Sequence, residues 1–366
     1  MKKILFIVDD LGKGGAEKIT LELAHTLAKN ENLVTLAVLN SSKNTLAVDS
    51  SIEYIDLNIN PKFAFGKLWK FKELSLQEQK IFSSVINEKK FDLIIIGFHN
   101  GYYLGKYLTQ KKNIWYWVHS DLLEIRKFSN PFKQLKEYIR FFRNKRKFAT
   151  LFKRRNIITV NHDLEIKAKH YTQPKKTITI ANGVEIPKEL LDKYKKIKKK
   201  WDVIFVGRLV KVKQVDHAIK AFSLSNLTGK MAIAGEGPER KKLETLTKEL
   251  GISDRVIFLG WIDNPLPLIL ESSCLILSSY NEAFGLVLAE SLCLGTPVVA
   301  YNSSKGVEDI LSLQSDMKNF LVSLNDYNTL AKKIYECVTT PYPILNTTKE
   351  KLSINKTAEK FLTLAE

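Results

Sequence analysis

The sequence predicts an α/β fold built from two doubly wound parallel sheets, and three observations lead to this prediction. Twelve short runs rich in Val, Ile and Leu alternate with helical patterns along the chain, which is typical of parallel strands covered by helices on both faces. Twelve strands are more than a single sheet comfortably holds. The chain has 366 residues, whereas single hydrophobic cores rarely grow much beyond about 250–300 residues.

The predicted strands form two groups separated by a charged segment. The first group comprises Ile4–Val8, Val34–Leu39, Leu93–Phe98, Ile114–Val118, Ile157–Val160 and Thr177–Ala181. The second comprises Val203–Val206, Met231–Ala234, Val256–Leu259, Cys274–Leu277, Val298–Tyr301 and Phe320–Val322. The lysine-rich segment Val184–Lys200 lies between them, and the last residues have apolar positions at helical spacing. We therefore predict a first domain over residues 1–183, a second over 184–346 and a C-terminal helix over 347–366.

Composition narrows the class of protein without identifying it. The formal net charge is +18, from 57 Lys and Arg against 39 Asp and Glu, and this excess predicts an anionic partner: nucleic acid, an acidic membrane surface or phosphorylated substrates. The three cysteines lack paired or zinc-type spacing, as expected in a reducing cytosol. No apolar run approaches the ~18–20 residues that span a bilayer, and the apolar start Ile4–Val8 is too short for a secretory signal. We expect the protein to stay inside the cell.

Two carboxylates within residues 279–301 give the most informative functional signal. Glu282 and Glu290 flank the turn Phe284–Leu286, which follows a predicted strand and opens a helix. Ligands of parallel sheets gather at the carboxyl ends of the strands, and the amides at a helix start favour anions. Glu282 can accept hydrogen bonds from sugar hydroxyls, whereas Glu290 lies inside an apolar helix, where an acid needs a partner. Taken singly, the two acids also fit a first-turn residue and a surface residue.

A glycine-rich loop follows the first predicted strand. Gly12, Gly14 and Gly15 precede an amphipathic helix, so the backbone can approach a phosphate at the helix N-terminus. The spacing lacks the dinucleotide-binding fingerprint, and no Gly-Lys-Ser/Thr follows as in a Walker loop. A tight turn without a ligand is the alternative interpretation.

Two basic residues follow the first strand of the predicted second domain. Arg208 offers a planar fork for phosphate oxygens and Lys213 a point charge. Arginine is also common on surface turns. Combined with Glu282 in the same sheet, these cations would supply the positive half of a nucleotide-sugar site.

These motifs and several others occur together in one order. They are Gly14-Gly15-Ala16-Glu17, Val118-His119-Ser120, Ala181-Asn182-Gly183-Val184, Gly207-Arg208-Leu209 with Lys213, Ala234-Gly235-Glu236-Gly237-Pro238, Phe258-Leu259-Gly260 and the Glu-x7-Glu element of Glu282 and Glu290. In this the chain resembles, over essentially its whole length, the retaining nucleotide-sugar glycosyltransferases of family four. The resemblance implies the GT-B fold: two Rossmann-like domains facing across a cleft, the acceptor-binding domain first and the donor-binding domain second. It also implies a final helix that crosses back to the first domain.

The resemblance implies roles for individual residues. Arg208 and Lys213 would neutralise the leaving diphosphate, Glu282 would hold hydroxyls of the donor hexose, and His119 would contact the transferred sugar. The residues expected to bind the donor are Gly14, Gly15, Asn182, Gly207, Gly235, Trp261, Ile262, Phe284, Gly285, Leu286 and Glu290. Within this set Gly15 would donate to the diphosphate, Glu290 would bind the ribose, and Trp261 and Ile262 would border the base. A capping or core-edge histidine remains the alternative for His119, and His99 is its rival.

The family pattern is not matched everywhere. Ala283 replaces the usual glycine after the first acid, and Lys305-Gly306-Val307-Glu308-Asp309 stands where Gly-Gly-Pro-Arg-Glu is common. No convincing metal-binding Asp-x-Asp is found, so we predict metal-independent catalysis without a cofactor. Retention without an evident nucleophile suggests attack on the same face of the sugar, with the leaving phosphate accepting the proton.

The segment Arg126–Arg155 carries most of the unusual positive charge. Twelve basic residues are interleaved with aromatic and aliphatic residues at roughly helical spacing, which is typical of a helix that lies on an anionic membrane surface. The stretch Lys62–Lys72 would extend this patch. A solvated helix packed by its apolar side is the alternative. We expect a lipid-linked glycan or lipopolysaccharide acceptor at the cytoplasmic membrane face, with UDP-hexose or UDP-N-acetylhexosamine as donor.

Two other classes of protein fit the charge. A nucleic-acid-binding protein would explain the pI of about 9.5, but the sequence has no helix-turn-helix, zinc-finger or RNP pattern and no nucleic-acid partner is expected. A non-catalytic sugar-nucleotide-binding relative is the other alternative, against which the intact set of Arg208, Lys213, Glu282 and Glu290 counts.

Overall fold

The computed structural model describes residues 1–12, 14–60, 73–98, 100–121, 123, 125, 130–193 and 198–366. The chain divides into two compact units, each with its own parallel sheet. Unit 1 comprises Met1–Asn182 and Ile354–Glu366, and unit 2 comprises Gly183–Ser353. The predicted class of two doubly wound α/β domains is thereby confirmed for each unit.

Unit 1 contains a seven-stranded sheet in the order β3-β2-β1-β4-β5-β6-β7, with every neighbouring pair parallel. Its strands are β1 (Lys3–Val8), β2 (Leu33–Val38), β3 (Glu53–Asp56), β4 (Leu93–Gly97), β5 (Ile114–Val118), β6 (Asn156–Thr159) and β7 (Lys176–Thr179). Its helices are α1 (Gly15–Lys29), α2 (Leu76–Phe82), α3 (Pro131–Phe152), α4 (His162–Thr172) and α14 (Ile354–Leu362). The central strands β1, β4 and β5 are buried almost throughout, because helices cover the sheet on both faces.

The edge strand β3 is absent from the strands that the sequence predicts. It pairs with β2 in the register Thr35↔Glu53 to Val38↔Asp56, yet three of its four residues are exposed. An exposed edge strand needs no apolar run, so hydrophobic patterning alone does not reveal it.

Unit 2 contains a six-stranded parallel sheet in the order β10-β9-β8-β11-β12-β13. Its strands are β8 (Trp201–Val206), β9 (Met231–Ala234), β10 (Val256–Gly260), β11 (Ser272–Leu277), β12 (Val298–Tyr301) and β13 (Leu321–Val322). Its helices are α5 (Lys188–Lys193), α6 (Val215–Leu224), α7 (Arg240–Glu249), α8 (Leu266–Leu270), α9 (Leu286–Leu294), α10 (Lys305–Leu311), α11 (Ser315–Lys318), α12 (Tyr327–Thr339) and α13 (Asn346–Lys351). The sheet order changes direction between β8 and β11, which is where doubly wound folds bind ligands.

The C-terminal tail is two helices rather than the single helix expected over 347–366. Helix α13 belongs to unit 2, where Thr348 and the backbone of Leu345 contact Gln314. The helical conformation is interrupted at Ser353, which forms an isolated β-bridge with Val184. Helix α14 then belongs to unit 1: Phe361 packs edge-on against Trp117 with ring centroids 4.9 Å apart. A bridging strand contact, invisible in the helical spacing, therefore divides the tail.

None of the helices formed by the described residues combines the length and the apolar character needed to cross a membrane.

Candidate functional site

Two loops at the carboxyl edge of the unit 2 sheet bring opposite charges together. The ammonium of Lys213, after β8, forms an ion pair with the carboxylate of Glu282, after β11. Their side chains are only 20% and 19% exposed, and the hydroxyl of Ser279 lies 3.3 Å from the same carboxylate oxygen. The sequence predicted that these two residues share a site, and the structure places them in direct contact.

Hydrogen bonds fix the two loops to each other. Ser278 donates its hydroxyl to the carbonyl of Lys213 at 2.9 Å, and the amide of Tyr280 donates to the carbonyl of Val212 at 2.8 Å. Strands β8 and β11 are neighbours in the sheet, so both loops leave at the same edge. The loops that carry the cation and the acid are thus bonded to each other and leave the sheet at one edge.

Arg208 lies at the same strand end as Lys213, but its surroundings differ. Its side chain is exposed, and it forms no ion pair with any residue in the described ranges. Gly207, just before it, has a φ of +153° and donates its amide to Ala234 at 3.0 Å. A free guanidinium beside a paired ammonium leaves this edge able to accept an anion.

The glycines at the ends of β8 and β9 have a packing role. A Cβ on Gly235 would lie 1.9 Å from the carbonyl oxygen of Gly207, and one on Gly237 would lie 2.3 Å from the carbonyl oxygen of Leu209. Gly235 also donates to Gly260 at 2.7 Å. The close contact explains Gly235 without a ligand, and the φ of +153° favours glycine at Gly207. The predicted donor contacts of both residues remain predictions.

Helix α9 begins at the predicted Phe284–Leu286 turn. Gly285 caps it in the left-handed region with φ +87°, and the helix has no side-chain N-cap, which leaves its first-turn amides oriented towards the loop. Phe284 is 5% exposed, and Glu290 is 7% exposed inside α9. The turn therefore has the geometry of an anion-binding helix start.

Gly306 is a site-supporting residue that sequence reasoning missed. A Cβ there would lie 2.3 Å from the carbonyl oxygen of Ala283 and 3.1 Å from Cα of Phe284. The start of α10 therefore packs directly on the loop that carries Glu282. The sequence offered one signal, a glycine retained in a segment that otherwise departs from the family pattern.

Trp261 and Ile262, predicted to border a base, follow β10 at the far side of the sheet order from β11. Trp261 is 40% exposed, and its indole N–H donates to Asp263 at 2.8 Å. Ile262 is half-buried.

In unit 1, His119 follows β5 and is enclosed by aromatic rings. Its ring centroid lies 4.1 Å from that of Trp117 and 5.7 Å from that of Phe98. Both ring nitrogens are inaccessible to solvent and have no hydrogen-bond partner within the described part of the chain. Burial lowers the pKa of His119 to about 3, so the imidazole is neutral near pH 7. The rival candidate His99 lies outside the described residues.

The other predicted residues of unit 1 lie at the same sheet edge or beside it. Gly15 is the first residue of α1 and Gly14 its N-cap. A Cβ on Gly14 would lie 1.9 Å from the carboxylate of Glu17, a flexible side-chain end that can move away. Asn182 is 4% exposed, and its side-chain oxygen has no hydrogen-bond partner among the described residues. A buried orphan oxygen of this kind calls for a ligand or water.

Asp9 is a second residue that sequence reasoning missed. It ends β1 and accepts hydrogen bonds from the amide of Asn100 at 3.1 Å, from its side chain at 2.9 Å and from the amide of Gly101 at 2.7 Å. Burial raises the pKa of Asp9 to about 6 despite these bonds. In the sequence this acid directly follows the apolar run Ile4–Val8, a position that gives no sign of these contacts.

Across the described ranges, no group of three or more His, Cys, Asp or Glu side chains is arranged to hold a metal ion. Cys274, Cys293 and Cys337 are buried free thiols.

Comparison with known proteins places this geometry in context. Residues 188–360 match the model of the family described as glycosyl transferases group 1. The chain is 31% identical to N-acetyl-alpha-D-glucosaminyl L-malate synthase of Bacillus anthracis over 39% of the chain and 40% of that relative. It is 24% identical to a Campylobacter jejuni N-acetylgalactosamine-N,N'-diacetylbacillosaminyl-diphospho-undecaprenol 4-alpha-N-acetylgalactosaminyltransferase over 90% of the chain and 88% of that relative.

A solved structure supports the fold of the whole chain. The Anabaena protein HepE, crystallised with UDP and glucose, superposes with a TM-score of 0.71 over 99% of each chain at 18% sequence identity. This likeness confirms the predicted GT-B class at the level of the fold.

Proposed function

We propose that the protein transfers a sugar from a nucleotide-sugar to a glycan acceptor, starting from the match of residues 188–360 to the model of the family described as glycosyl transferases group 1. The single observation that carries the proposal is the ion pair of Lys213 with Glu282 at the strand end that also bears the exposed side chain of Arg208. The chain spans 40% of the Bacillus anthracis relative, so its own donor and acceptor are part of the proposal.

The chemistry follows from where charge develops. Breaking the bond between sugar and diphosphate leaves negative charge on the nucleotide and positive character on the sugar. Arg208 and Lys213 stabilise the departing diphosphate, and the amides at the start of α9 add to this stabilisation. Preorganised charges of this kind are often the largest catalytic contribution. We infer that Lys213 exchanges part of its contact with Glu282 for the phosphate, which frees the carboxylate to hold hydroxyls of the hexose.

We propose a hexose or N-acetylhexosamine as the transferred sugar and UDP as the nucleotide; the UDP bound in HepE supports the nucleotide. We propose retention of the anomeric configuration and no metal requirement. The bound ribose would contact Glu290 in this scheme.

A donor-panel assay tests the reaction directly. Hydrolysis of UDP-, GDP- and ADP-sugars is measured with and without EDTA, and NMR follows the anomeric configuration of the product. The proposal expects one nucleotide to dominate, EDTA to have no effect and the configuration to be retained. An inverted product would refute same-face attack, and no turnover with any donor would favour a non-catalytic sugar-nucleotide-binding protein.

We propose that helix α3 docks the protein on an anionic membrane surface, where a lipid-linked glycan or lipopolysaccharide acceptor would be found. The face formed by Phe141, Phe148 and Phe152 is buried in unit 1. The opposite face exposes a stripe of apolar side chains, namely Phe132 (77%), Leu135 (59%), Ile139 (59%) and Phe142 (63%). Spacings of three, four and three residues place them along one side of the helix.

Basic side chains flank this stripe. Lys133, Lys136, Arg143 and Arg146 are exposed, and each basic group near an anionic leaflet contributes about 1 kcal/mol. Exposed apolar residues in a row beside cations suit the boundary between headgroups and acyl chains. The solvated-helix alternative accounts for the buried phenylalanines but not for the exposed stripe. Residues 126–129 of the predicted segment, and Lys62–Lys72, lie outside the described residues.

Vesicle co-sedimentation tests the docking. The double variant Phe132→Ser/Phe142→Ser should lose binding to anionic vesicles, and raised salt should weaken binding of the unmodified protein. Leu76→Ser is a matched control, because Leu76 is 79% exposed at the start of α2. Equal binding to neutral and anionic vesicles would contradict this proposal, and preferential binding to oligonucleotides would favour the nucleic-acid alternative. We place the protein, on this proposal, at the inner face of the cytoplasmic membrane.

A further inference from the structure

The loop after β4 adopts a conformation that a bulky residue rarely accepts. Phe98 has a φ of +66°, in the left-handed region where a phenylalanine is an outlier. Its ring lies nearly parallel to the imidazole of His119, at an interplanar angle of 15° and a centroid distance of 5.7 Å. A strained residue that stacks on a candidate site histidine points to a constraint on that histidine.

The carboxylate of Asp9 holds this loop in place. It accepts hydrogen bonds from Asn100 and Gly101, the residues just beyond the turn, at 2.7 to 3.1 Å. The amide of Tyr102 then donates to the carbonyl of Phe98 at 3.3 Å. These hydrogen bonds hold the backbone on the C-terminal side of Phe98, and they stabilise its left-handed conformation.

A second aromatic ring also lies against the imidazole. Trp117 lies 4.1 Å from His119 between centroids, and its carbonyl accepts the hydroxyl of Tyr102 at 2.8 Å. Within the described part of the chain, neither nitrogen of His119 has a hydrogen-bond partner. Histidines are usually oriented by a hydrogen bond to one nitrogen, whereas the described surroundings of His119 supply two neighbouring aromatic rings instead.

We propose that Asp9 is a positioning residue for His119. Through Asn100 and Gly101 it fixes the turn that presents Phe98, and the Phe98 ring orients a neutral imidazole for the transferred sugar. The last step rests on the proposed function and on the family resemblance, which implies that His119 contacts the transferred sugar. The orientation itself does not depend on it.

NMR of the histidine side chains tests the orientation without any substrate. The protein has six histidines, and His119→Gln identifies the resonance of His119. In the unmodified protein this resonance should show no imidazole titration between pH 8 and pH 5, because burial lowers the pKa of His119 to about 3. A smaller shift near pH 6 is expected from protonation of Asp9, whose pKa burial raises to about 6. Asp9→Asn should shift the resonance, since the carboxamide cannot accept all the bonds that the carboxylate accepts.

A second variant separates positioning from stability. Phe98→Asn removes the ring but suits a positive φ, so it should fold well while His119 begins to titrate towards its ordinary range. In both variants kcat for sugar transfer should fall about tenfold or more, with a smaller change in donor KM, as expected when a contact group is displaced. The control is Asp92→Asn, because Asp92 accepts the amide of Lys3 at 2.7 Å at the opposite end of the same strands.

An unchanged His119 resonance in both Asp9→Asn and Phe98→Asn would overturn the proposal, as would an equal shift in Asp92→Asn. A shifted resonance supports it even if no donor is turned over. Absence of transfer by the unmodified protein would instead overturn the proposed function, so the two failures are distinguishable.

Discussion

Replacing Lys213 by Met gives the sharpest test of the candidate site. The substitution keeps the length and apolar stem of the side chain but removes the cation that pairs with Glu282. Glu282, 19% exposed, would retain only Ser279 at 3.3 Å among the hydrogen bonds seen in the structure. Leaving a largely buried charged group short of its partner costs about 1–3 kcal/mol, which should lower the melting temperature of the protein.

The larger effect is expected on turnover. A preorganised group that stabilises developing negative charge contributes about 2.7–4 kcal/mol, so its loss lowers kcat by roughly 10²- to 10³-fold. Ground-state affinity for UDP should fall less, because Arg208 remains exposed and unpaired among the described residues. Steady-state transfer kinetics give kcat, and isothermal titration gives the affinity for UDP.

Two further variants make the result interpretable. Lys213→Arg restores the charge and should recover part of the turnover. Lys211→Met removes an exposed cation from the same short turn and should leave kcat unchanged. A kcat for Lys213→Met within threefold of the unmodified protein would refute the reasoning, as would an equal loss in Lys211→Met.

Three other predictions address separate parts of the structure. Glu282→Ala should reduce kcat far more than the affinity for UDP, measured by the same two assays, because the acid holds the sugar and not the nucleotide. Gly306→Ala should destabilise unit 2 by about 1–3 kcal/mol, because its Cβ would lie 2.3 Å from the carbonyl oxygen of Ala283; thermal unfolding with and without UDP measures the loss, and an unchanged melting temperature would contradict it. Burial lowers the pKa of His119 below its unfolded value of 6.5 to about 3, so its contribution to stability is lost as pH falls below 6.5. The stability of His119→Gln relative to the unmodified protein should therefore rise by about 1.4 kcal/mol per pH unit between pH 6 and pH 4, and parallel pH profiles of the two proteins would exclude this.

Much of the fold was predictable because its strands are buried on both faces. Strands such as β5 (Ile114–Val118) and β9 (Met231–Ala234) are continuous apolar runs with the predicted bounds. Strand β3 was not, because Glu53, Tyr54 and Asp56 are exposed. Its place in the sheet depends on pairing with β2, which is a long-range contact. The division of the tail at Ser353 has the same origin, since it depends on the bridge to Val184.

The candidate site divides in a similar way. The sequence by itself determined which chemistry is available: Arg208, Lys213 and Glu282 follow buried strands, and the ends of parallel strands meet at one edge. Only the tertiary structure decided that Lys213 pairs with Glu282 while Arg208 stays exposed.

Contacts that bridge distant segments also came only from the tertiary structure. Asp9 and Asn100 are 91 positions apart, and Gly306 touches Ala283. Residue type and local periodicity record what a segment buries and which groups it offers. Residue type and periodicity do not record which distant segment packs against a given one. That is decided when the strands pair and the side chains pack at native density. The sequence therefore determined the reactive groups of this protein, and the packing within each of its two units determined how those groups are held and oriented.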